Sequence, residues 1–442
     1  MYDIVQNYMR GSTAVNIAES IESAIRDGHL PPGEKLPPVR RAAEQLGVSQ
    51  GTVAAAYQAL QQRGLLVADG RRGTRVGQRR VQPLWMDPAL PPGVRDLYNN
   101  EADPALLPDL GGVLTDEDLR SRLYGEAGDD PELVALARSW FEADGVPGEH
   151  VAVASGAGSV VNGALREYAL PGDLVAVEDP GYCGQFDLIA VHRLTPVPVR
   201  VDDEGMLPED LASALDRGCR VVVATPRCQS PRGAAITAER AAALREVLDR
   251  RPDVLTIEDD YAFQLTERAY HGLVSPARRR WVIARSFNKS LGPDIRCAVF
   301  AGDQRTVDAL KFRWSLSDGW VSKFLQRLAV GVLRRPGTEE MLRRARATYT
   351  RRREAALAAL AGRGIEAFGA DGLNVWVPVP EEGAVVQQMM ARGWGVRAGE
   401  RFRVASGPAV RISVSRLPEE DAPELAADLA AVLAGRGRFG MP

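Results

Sequence analysis

The chain has 442 residues, of which 45% are hydrophobic and 26% charged, a composition that allows two or three globular domains with large buried cores. No apolar run approaches the roughly 20 residues of a membrane span, and the N-terminus lacks the apolar core of a signal peptide, so we expect a cytoplasmic protein rather than a membrane protein. The cysteines, Cys183, Cys219, Cys228 and Cys297, lack the spacing of a metal site or a disulfide framework, which predicts reduced thiols and no bound metal.

The net charge of −3 hides a difference between the two ends of the chain. Residues 1–80 hold 11 Arg and Lys residues against 7 Asp and Glu residues, a net charge of +4, whereas the rest of the chain carries −7. A small basic segment joined to a large acidic one indicates that only the N-terminal part meets a polyanion.

The N-terminal segment has helix-turn-helix spacing. Ile17, Ile21 and Ile25 form one apolar stripe and predict an amphipathic helix that ends near Gly28. A second helix is predicted over about 38–46, followed by a tight turn and a third helix. The residues predicted to face inward on the third helix are Val53, Ala56, Tyr57 and Leu60.

The start of the third predicted helix is the candidate reading surface for DNA. Ser49 is placed to cap this helix, which leaves Gln50 and Thr52 at the exposed end where a recognition helix meets base edges. Two short apolar runs then flank residues 69–73, Asp-Gly-Arg-Arg-Gly, a pattern that predicts a hairpin wing with a basic tip. A protein-docking module is the alternative, but the arginines of the wing favour phosphate contacts.

This segment resembles the winged helix-turn-helix head of GntR-type bacterial regulators. The matching motif is Gly-His-Leu-Pro-Pro-Gly-Glu-Lys-Leu-Pro-Pro-Val-Arg at 28–40, continued by Leu-Gly-Val-Ser at 46–49, and the match covers nearly all of residues 12–76. The resemblance implies double-stranded DNA as a partner and a set of contact residues: Arg40, Ser49, Gln50, Thr52, Arg71, Arg72 and Thr74. The family usually has arginine where this chain has Gln50, so its base preference is expected to differ.

We expect a DNA-binding domain at 1–76, a linker at 77–94 and a second domain at 95–442. The linker holds several prolines and little periodicity, and it is short enough to keep the two domains close. In the second domain, apolar runs alternate with helical stretches, which predicts an α/β fold with a largely parallel sheet. The runs are 151–154, 174–177, 221–224, 254–257 and 281–284.

The residues that follow these runs carry the chemistry, because ligands of such sheets gather beyond the C-terminal ends of the strands. Gly156 and Ala157 open a predicted helix whose amides can bind a phosphate. Tyr182 can cover a planar ligand, although a lone tyrosine is more often a packing residue. The later runs are followed by Asp259, Tyr261, Ser286 and Lys289.

Lysine is rare in this chain, with four copies against 51 arginines. A lysine kept under such a bias is a candidate for chemistry that needs a primary amine able to lose its proton, which arginine cannot offer. Lys35 belongs to the GntR-like motif, so rarity alone does not identify the amine, and a solvated surface lysine is the alternative for Lys289. The position of Lys289 after a buried strand favours the reactive amine.

Pyridoxal 5′-phosphate (PLP) suits this group of residues. Its aldehyde needs a lysine for a Schiff base, its ring nitrogen needs a carboxylate, and its phosphate needs a cation with helix amides. Lys289, Asp259 and Arg296 meet these three needs, and Arg296 lies seven residues after Lys289.

The domain at 95–442 resembles the fold-type I aminotransferases, PLP proteins with a smaller C-terminal α+β subdomain. The resemblance implies that Lys289 forms the aldimine with PLP, that Asp259 binds the pyridinium and that Tyr261 lies near the phenolic oxygen. It also implies that Tyr182 stacks on the ring. The implied phosphate-binding residues are Ser286, Arg296, Gly156 and Ala157.

Two more residues and two departures complete the resemblance. Arg411 matches the arginine that clamps a substrate carboxylate, with an ordinary strand arginine as the alternative, and Tyr124 matches a tyrosine that reaches the partner subunit's phosphate. The usual Asn/Tyr-Pro-Thr/Ser-Gly is Ser-Pro-Arg-Gly at 230–233, which puts the contact to the ring oxygen in doubt. The residue before the lysine is Asn288 where serine is common.

A GntR-like head joined to an aminotransferase-like body resembles the MocR class of bacterial transcriptional regulators across essentially the whole chain. The resemblance implies a homodimeric, PLP-dependent regulator that senses PLP, an amino-containing effector or both through aldimine chemistry at Lys289, and that binds two promoter half-sites. The alternative is a PLP-dependent aminotransferase with an accessory DNA-binding head, because sequence does not determine turnover.

Overall fold

The computed structural model describes residues 4–62, 65–68, 73–77, 90–115, 118, 120, 122–126 and 128–434. The chain divides into two compact units. The described residues up to Gly77 lie in the first unit, called the head, and most residues from 90 onward lie in the second, called the body. The predicted linker lies largely outside the described residues. None of the described helices is long and apolar enough to cross a membrane.

The head contains the three predicted helices, preceded by a short helix that the sequence pattern did not predict. Their bounds are α1 Ile4–Tyr8, α2 Ala14–Arg26, α3 Val39–Leu46 and α4 Gln50–Gln62. Thr13 caps α2 by accepting a hydrogen bond from the Asn16 amide at 3.2 Å. Gly47 ends α3 in the left-handed conformation, at φ 67°, which glycine adopts without strain and which allows the tight turn into α4.

The core of the head confirms the predicted inward faces. The residues predicted for the third helix and the first two isoleucines of α2 are at most 3% exposed, and Ile25 is partly buried. The Tyr57 hydroxyl donates a hydrogen bond to the Pro37 carbonyl oxygen at 2.8 Å, which satisfies the one polar atom of this side chain. The helix-turn-helix spacing of the sequence is therefore a consequence of burying one stripe from each helix.

The predicted wing is present as an antiparallel pair, β1 Leu66–Ala68 and β2 Thr74–Val76. Its tip, with Arg71 and Arg72, lies outside the described residues. The segment before α3 adds a third strand-like edge: the Leu36 amide donates to Thr74 O at 2.9 Å and the Val76 amide donates to Glu34 O at 2.8 Å. This edge ties the GntR-like motif to the wing, a pairing that the sequence pattern did not indicate.

The first half of the body alternates strands and helices. Its elements are β3 Arg95–Asp96, α5 Pro131–Ala143, β4 Val151–Ala154, α6 Ala157–Tyr168, β5 Leu174–Asp179, α7 Cys183–Val191, β6 Thr195–Asp202, β7 Gly205–Met206, α8 Pro208–Asp216, β8 Val221–Ala224, α9 Ala238–Asp249, β9 Leu255–Asp260, β10 Trp281–Ser286 and β11 Ala298–Gly302. All five predicted strands are confirmed. The sequence analysis did not predict β6, β11 or the two-residue strands β3 and β7.

The main sheet has eight strands in the order β4-β11-β10-β9-β8-β5-β6-β7. Strands β5, β8, β9 and β10 run parallel to their neighbours in this series, and β11 pairs antiparallel with both β10 and β4. Every residue of β8, β9 and β10 is buried, as expected for parallel strands covered by helices on both faces. Every residue of β4, which pairs antiparallel with β11, is buried too. Continuous apolar runs therefore predicted these strands well.

The second half of the body begins with two helices that pack on the first half and continues with the smaller subdomain that the resemblance implied. Its elements are α10 Gln304–Ser315, α11 Lys323–Arg334, α12 Thr338–Ala361, β12 Asn374–Pro378, α13 Glu382–Ala391, β13 Trp394–Gly395, β14 Arg397–Ala398, β15 Ala409–Ser413 and α14 Ala422–Ala434. Strands β12, β15 and β14 form an antiparallel sheet, whereas β13 pairs with β3. The four cysteines are free and buried.

Candidate functional site

The N-terminus of α4 has the geometry of a capped recognition helix. Ser49 Oγ accepts a hydrogen bond from the Thr52 amide at 3.1 Å and lies 2.8 Å from Thr52 Oγ1. Because the cap occupies Ser49 and Thr52, the exposed side chain of Gln50 is the one that remains free to read a base edge. Arg40 is also exposed, and its ion pair with Glu44 at 3.7 Å is a surface contact that DNA phosphate can replace.

In the wing, Thr74 is partly buried at the start of β2. The neighbouring Arg75 donates from Nη1 to Gly33 O at 3.0 Å, so it holds the wing to the preceding segment. Arg75 therefore has a structural contact, which leaves phosphate binding to the arginines predicted at the tip.

In the body, strands β9 and β10 end side by side and bring the predicted residues together. They are parallel, with Asp259 opposite Ala284 and Asp260 opposite Arg285. Asp259 therefore lies beside the end of the strand that leads to Ser286 and Lys289, at the C-terminal edge where ligands bind in such sheets.

A buried ion cluster behind this edge holds the two strand ends. Asp260 accepts from Arg285 Nε at 3.0 Å and from Arg227 Nη2 at 2.8 Å, and both arginines also reach Asp144. Arg285 and Asp260 are fully buried. Removing one partner from such a cluster costs about 3–5 kcal/mol, so the cluster fixes the residues next to it in sequence, Asp259 and Ser286.

Asp259 is a buried carboxylate with one unsatisfied oxygen. Its Oδ2 accepts a hydrogen bond from Gln185 Nε2 at 3.4 Å, and its Oδ1 has no partner among the described residues. Burial raises the pKa of Asp259 to about 7, and the charge of Asp260 adds to this rise. A cation beside Oδ1 would lower this pKa and compensate the buried charge, so the site fits the protonated ring nitrogen of PLP.

We expect the free energy of unfolding of the cofactor-free protein to fall as the pH rises from about 5 to 7. In this window the folded state keeps a proton on Asp259 that the unfolded chain, with an Asp pKa of 3.8, has released, so stability decreases with pH. Urea unfolding of Asp259→Asn over this pH range should give a flatter dependence of stability on pH. The control is the exposed Asp253→Asn, and equal pH dependence in wild type and Asp259→Asn would contradict the assignment.

Lys289 lies partly buried at the same edge. Its Nζ donates a hydrogen bond to the Asn100 carbonyl oxygen and lies 4.0 Å from Glu101 Oε2. Burial lowers the pKa of Lys289, and the charge of Arg411 lowers it further, against the opposing effect of Glu101. A lowered pKa favours the neutral, nucleophilic amine. Sequence reasoning missed Asn100 and Glu101, which come from just after the predicted linker.

Arg296 and the start of α6 form the candidate phosphate site. A Cβ atom added to Gly156 would lie 3.2 Å from Arg296 Nη2, so the guanidinium lies directly against the first turn of α6. Gly156 provides no side-chain cap, which leaves the helix N-terminus accessible to an anion. Ser286, the last residue of β10, is buried. Its Oγ accepts a hydrogen bond from the Asn288 amide at 3.2 Å.

Two of the three predicted tyrosines, Tyr182 and Tyr261, are partly buried. The Tyr261 hydroxyl donates to the Cys228 carbonyl oxygen at 2.8 Å, and burial raises its pKa. Burial also raises the pKa of Tyr182, which the charge of Asp259 raises further and that of Arg411 lowers. The charges of the candidate pyridine-binding carboxylate and of the candidate anion-binding arginine therefore both act on the Tyr182 hydroxyl.

Arg411 is buried in β15, at 2% exposure. Its Nη2 donates to the Tyr98 carbonyl oxygen, and its Nε has no partner among the described residues. Burial lowers the pKa of Arg411 to about 10, with a further contribution from the positive charge of Arg397. An anionic ligand group would satisfy Nε and compensate this charge. Sequence reasoning did not identify Arg397.

The structure partly explains the unusual motif Ser-Pro-Arg-Gly at 230–233. The Arg232 guanidinium lies 3.6 Å from the centre of the Phe368 ring and 3.4 Å from Asp203, so this side chain has packing partners of its own. Ser230 is buried, with no partner for Oγ among the described residues. A buried hydroxyl group is therefore available at this position.

Within the described part of the chain, Tyr124 makes no contact with the candidate cofactor-binding residues. It is 89% exposed and contacts Trp320 edge-on, with 5.7 Å between ring centroids. Its role toward a partner subunit stays a prediction.

The buried polar atoms without a described partner provide a test of the cofactor. They include Asp259 Oδ1, Asn100 Oδ1, Asn288 Oδ1, Ser230 Oγ and Arg411 Nε. Buried polar groups are nearly always hydrogen-bonded. Asp259 and Asn288 lie at or just after the ends of β9 and β10, Asn100 contacts Lys289 through its carbonyl oxygen, and Ser230 and Arg411 come from other parts of the body. Their mixture of acceptors and donors fits PLP together with an anionic amine.

Comparison with known proteins agrees with this two-part organisation. Residues 13–76 match the family of bacterial regulatory proteins of the gntR family, a DNA-binding domain. Residues 121–429 match the family of aminotransferases class I and II.

Relatives with the same two parts cover nearly the whole chain. The chain is 37% identical to the vitamin B6 salvage pathway transcriptional repressor PtsJ of Salmonella typhimurium, over 95% of this chain and 98% of PtsJ. It is 26% identical to the probable rhizopine catabolism regulatory protein MocR of Rhizobium meliloti, over 89% of this chain and 85% of that protein.

A solved aminotransferase shares the fold of the body. The α-aminoadipate aminotransferase LysN of Thermus thermophilus, complexed with N-(5′-phosphopyridoxyl)-L-leucine, has a TM-score of 0.71 at 21% identity, over 79% of this chain and 94% of LysN. Together with the relatives, this fold shows that the chain belongs to the MocR-type bacterial transcriptional regulators, in which a GntR head precedes an aminotransferase class I and II domain.

Proposed function

We propose that this regulator binds PLP at Lys289, senses an amino-containing effector or PLP itself in the body, and thereby changes the affinity of its head for DNA. The observation that carries the proposal is one sheet edge with a buried carboxylate at Asp259 and a partly buried amine at Lys289. The same half of the molecule has the Arg296 guanidinium against a helix N-terminus. These are the groups that PLP requires.

Each group would hold a different part of the cofactor. Asp259 Oδ1 would accept from the ring nitrogen, and Arg296, Ser286 and the first turn of α6 at Gly156 and Ala157 would hold the phosphate. The chemistry that PLP supplies when bound is an aldehyde that reacts reversibly with primary amines. Lys289 Nζ is the amine of this chain that is placed for it.

The tyrosines orient the ring and exclude water. Tyr182 would cover one face of the ring, where its buried position keeps water away. Tyr261 would donate to the phenolic oxygen, in place of or in addition to its present bond to Cys228 O. Ser230 Oγ is a second candidate for this oxygen, because it is buried without a described partner.

An effector would enter with an amine toward Lys289 and an anionic group toward Arg411. The effect of the Arg411 charge on the pKa of Lys289 supports this orientation, because such an effect needs the two side chains to be near each other. An effector changes DNA binding only if its affinity differs between two arrangements of the protein. Coupling of this kind changes affinity by roughly 5- to 150-fold.

We propose a homodimer with two heads and two half-sites in DNA, because regulators of this kind recognise paired sites through two-fold symmetry. The body has exposed large apolar side chains that a second copy could cover. They include Leu123, Tyr124, Phe312, Leu316 and Trp320. Tyr124 would then reach the cofactor phosphate of the partner subunit.

The relatives favour a regulator over an enzyme. PtsJ is named a repressor of the vitamin B6 salvage pathway, which is compatible with PLP as cofactor and as signal. An aminotransferase reaction is the second candidate function, since Lys289, Asp259 and Arg411 are all present.

An absorbance titration of the PLP-loaded protein with amino acids, amines and PLP tests the proposal, with keto acid assayed in the same samples. We expect at least one ligand to change the cofactor spectrum without sustained keto acid production, and to change DNA affinity within the range above. Multiple turnovers of keto acid would show an enzyme instead. A DNA affinity that no ligand or PLP changes would contradict the sensor.

A further inference from the structure

Two arginines lie side by side in the small sheet of the body. Arg397 in β14 is paired with Arg411 in β15, in antiparallel register. Side chains at directly paired positions of adjacent antiparallel strands project from the same face of the sheet. Both arginines are buried, at 4% and 2% exposure.

The two guanidinium groups share their neighbours. The central carbon of Arg411 lies 4.8 Å from the centre of the Phe402 ring, and that of Arg397 lies 5.7 Å from the same ring. Tyr98 contacts both: its carbonyl oxygen accepts from Arg411 Nη2, and its ring lies 4.5 Å from Arg397. Phe402 and Tyr98 therefore each contact both guanidinium groups.

Two guanidinium groups lie at this place, where a clamp for a single carboxylate needs one. Arg397 has further contacts of its own, yet its charge still lowers the pKa of Arg411. The charges that oppose this effect come from Cys183, Tyr261 and Tyr182. These are weak acids that stay neutral near neutral pH, so they do not compensate a guanidinium.

Arg411 is the arginine proposed to hold the anionic group of the effector, and Arg397 is its direct partner across the strand pair. Each of their charges offsets part of the rise in the Tyr182 pKa that burial causes, and the charge of Arg411 also acts on Lys289. The side chain proposed to cover the cofactor ring therefore lies within the field of both guanidinium groups. A ligand whose amine meets Lys289 and whose anion satisfies Arg411 Nε would place that anion beside Arg397.

We infer that Arg397 is a second, specificity-determining residue of the effector site, and that the site prefers an amine with a phosphate-type dianion over an amine with a single carboxylate. Two adjacent guanidinium groups match two negative charges. The three outer oxygens of a tetrahedral dianion can accept from both forks at once, whereas a carboxylate offers two. The inference rests on the proposed function, since it specifies the ligand of the same site.

Three amines with the same two-carbon backbone test the inference: 2-aminoethylphosphonate, taurine and β-alanine. At about pH 8 the phosphonate is doubly charged, because phosphate-type groups lose their second proton near pH 6. Taurine has the tetrahedral shape with one charge, and β-alanine has one charge without the shape. We expect 2-aminoethylphosphonate to change the cofactor spectrum of the PLP-loaded full chain with an affinity at least about tenfold above that of the other two.

Variants assign the preference to Arg397. Arg397→Gln should reduce the advantage of the phosphonate to less than about threefold, and Arg397→Lys should retain part of it because the charge remains. Arg392→Gln, which breaks a surface ion pair with Asp428 at 3.3 Å, is the matched control and should retain the full preference. The cofactor band of each variant reports whether its site is intact.

The outcomes separate the inference from the proposed function. Equal affinities, or tighter binding of β-alanine, overturn the dianion preference and leave a PLP-dependent sensor in place. A spectrum that changes with 2-aminoethylphosphonate to the same extent in wild type and Arg397→Gln overturns the role of Arg397. A protein that shows no cofactor band overturns both the inference and the proposed function.

Discussion

Lys289→Ala is expected to abolish the covalent attachment of PLP completely, while the body keeps its fold. The alanine leaves the rest of the edge in place, including Asp259 and Arg296, so PLP would still bind without a bond to the protein. Borohydride reduction of the wild-type mixture with PLP, followed by mass spectrometry of the peptides, should find the cofactor on Lys289. The same treatment of Lys289→Ala should yield no modified peptide, and its DNA affinity should no longer respond to effector.

The scarcity of lysine in this chain makes the control sharp. Lys311 is half exposed and pairs with Asp129 at 2.9 Å, so Lys311→Ala removes an ordinary surface amine and should leave the cofactor spectrum unchanged. Attachment of the cofactor at Lys35, Lys311 or Lys323 in the wild-type protein would contradict the assignment.

Replacing Arg71 and Arg72 together with alanine is expected to weaken binding to every DNA sequence. If each arginine neutralises one phosphate, the slope of log affinity against log salt concentration becomes less steep by roughly 2. The expectation follows from the hairpin, because residues 69–73 separate its paired strands β1 and β2 in the sequence. Measurement of DNA affinity over a range of salt concentrations provides the slope directly.

Two further variants separate phosphate contact from base reading in the head. Arg26→Ala removes a charge from an exposed residue that pairs with Glu22 at 3.4 Å in α2, and it should leave the slope unchanged. Gln50→Ala should alter the preference among sequences with little effect on the slope, because Gln50 begins the capped helix α4. An unchanged slope in the double arginine variant would show that the wing does not contact phosphate.

The fold was predictable where the burial of an element is visible in its own residues. Strands β4, β8, β9 and β10 are buried throughout; β4 and β8 are apolar along their whole length, and β9 and β10 begin with mostly apolar residues before their charged ends. In β6, buried residues alternate with more exposed ones, which breaks the apolar run, and this strand was not predicted. Strand β11 was not predicted either, although all of its residues are buried and most are apolar. In the head, the helix stripes were predicted because three short helices bury one face each.

The residues of the candidate site were predictable where a sequence motif lies at the end of a predicted strand. Lys289, Asp259, Ser286 and Gly156 all lie at or just after a strand end, so the rule about strand ends applied to them directly. The neighbours that set their properties come from elsewhere: Asn100 lies 189 residues from Lys289, and Gln185 lies 74 residues from Asp259. No local pattern marks residues of this kind, because their side chains matter only through a contact at long range.

The sequence by itself determined the two-part organisation, the helix-turn-helix spacing and the groups offered to a cofactor, since each of these depends on local periodicity or on fixed spacing. Tertiary structure alone decided which charges act on one another. Strand order and register place Asp260 between two buried arginines and place Arg397 beside Arg411. The physical reason is that burial and charge proximity, which set pKa values and ligand preference, depend on distances between elements that are far apart in the chain.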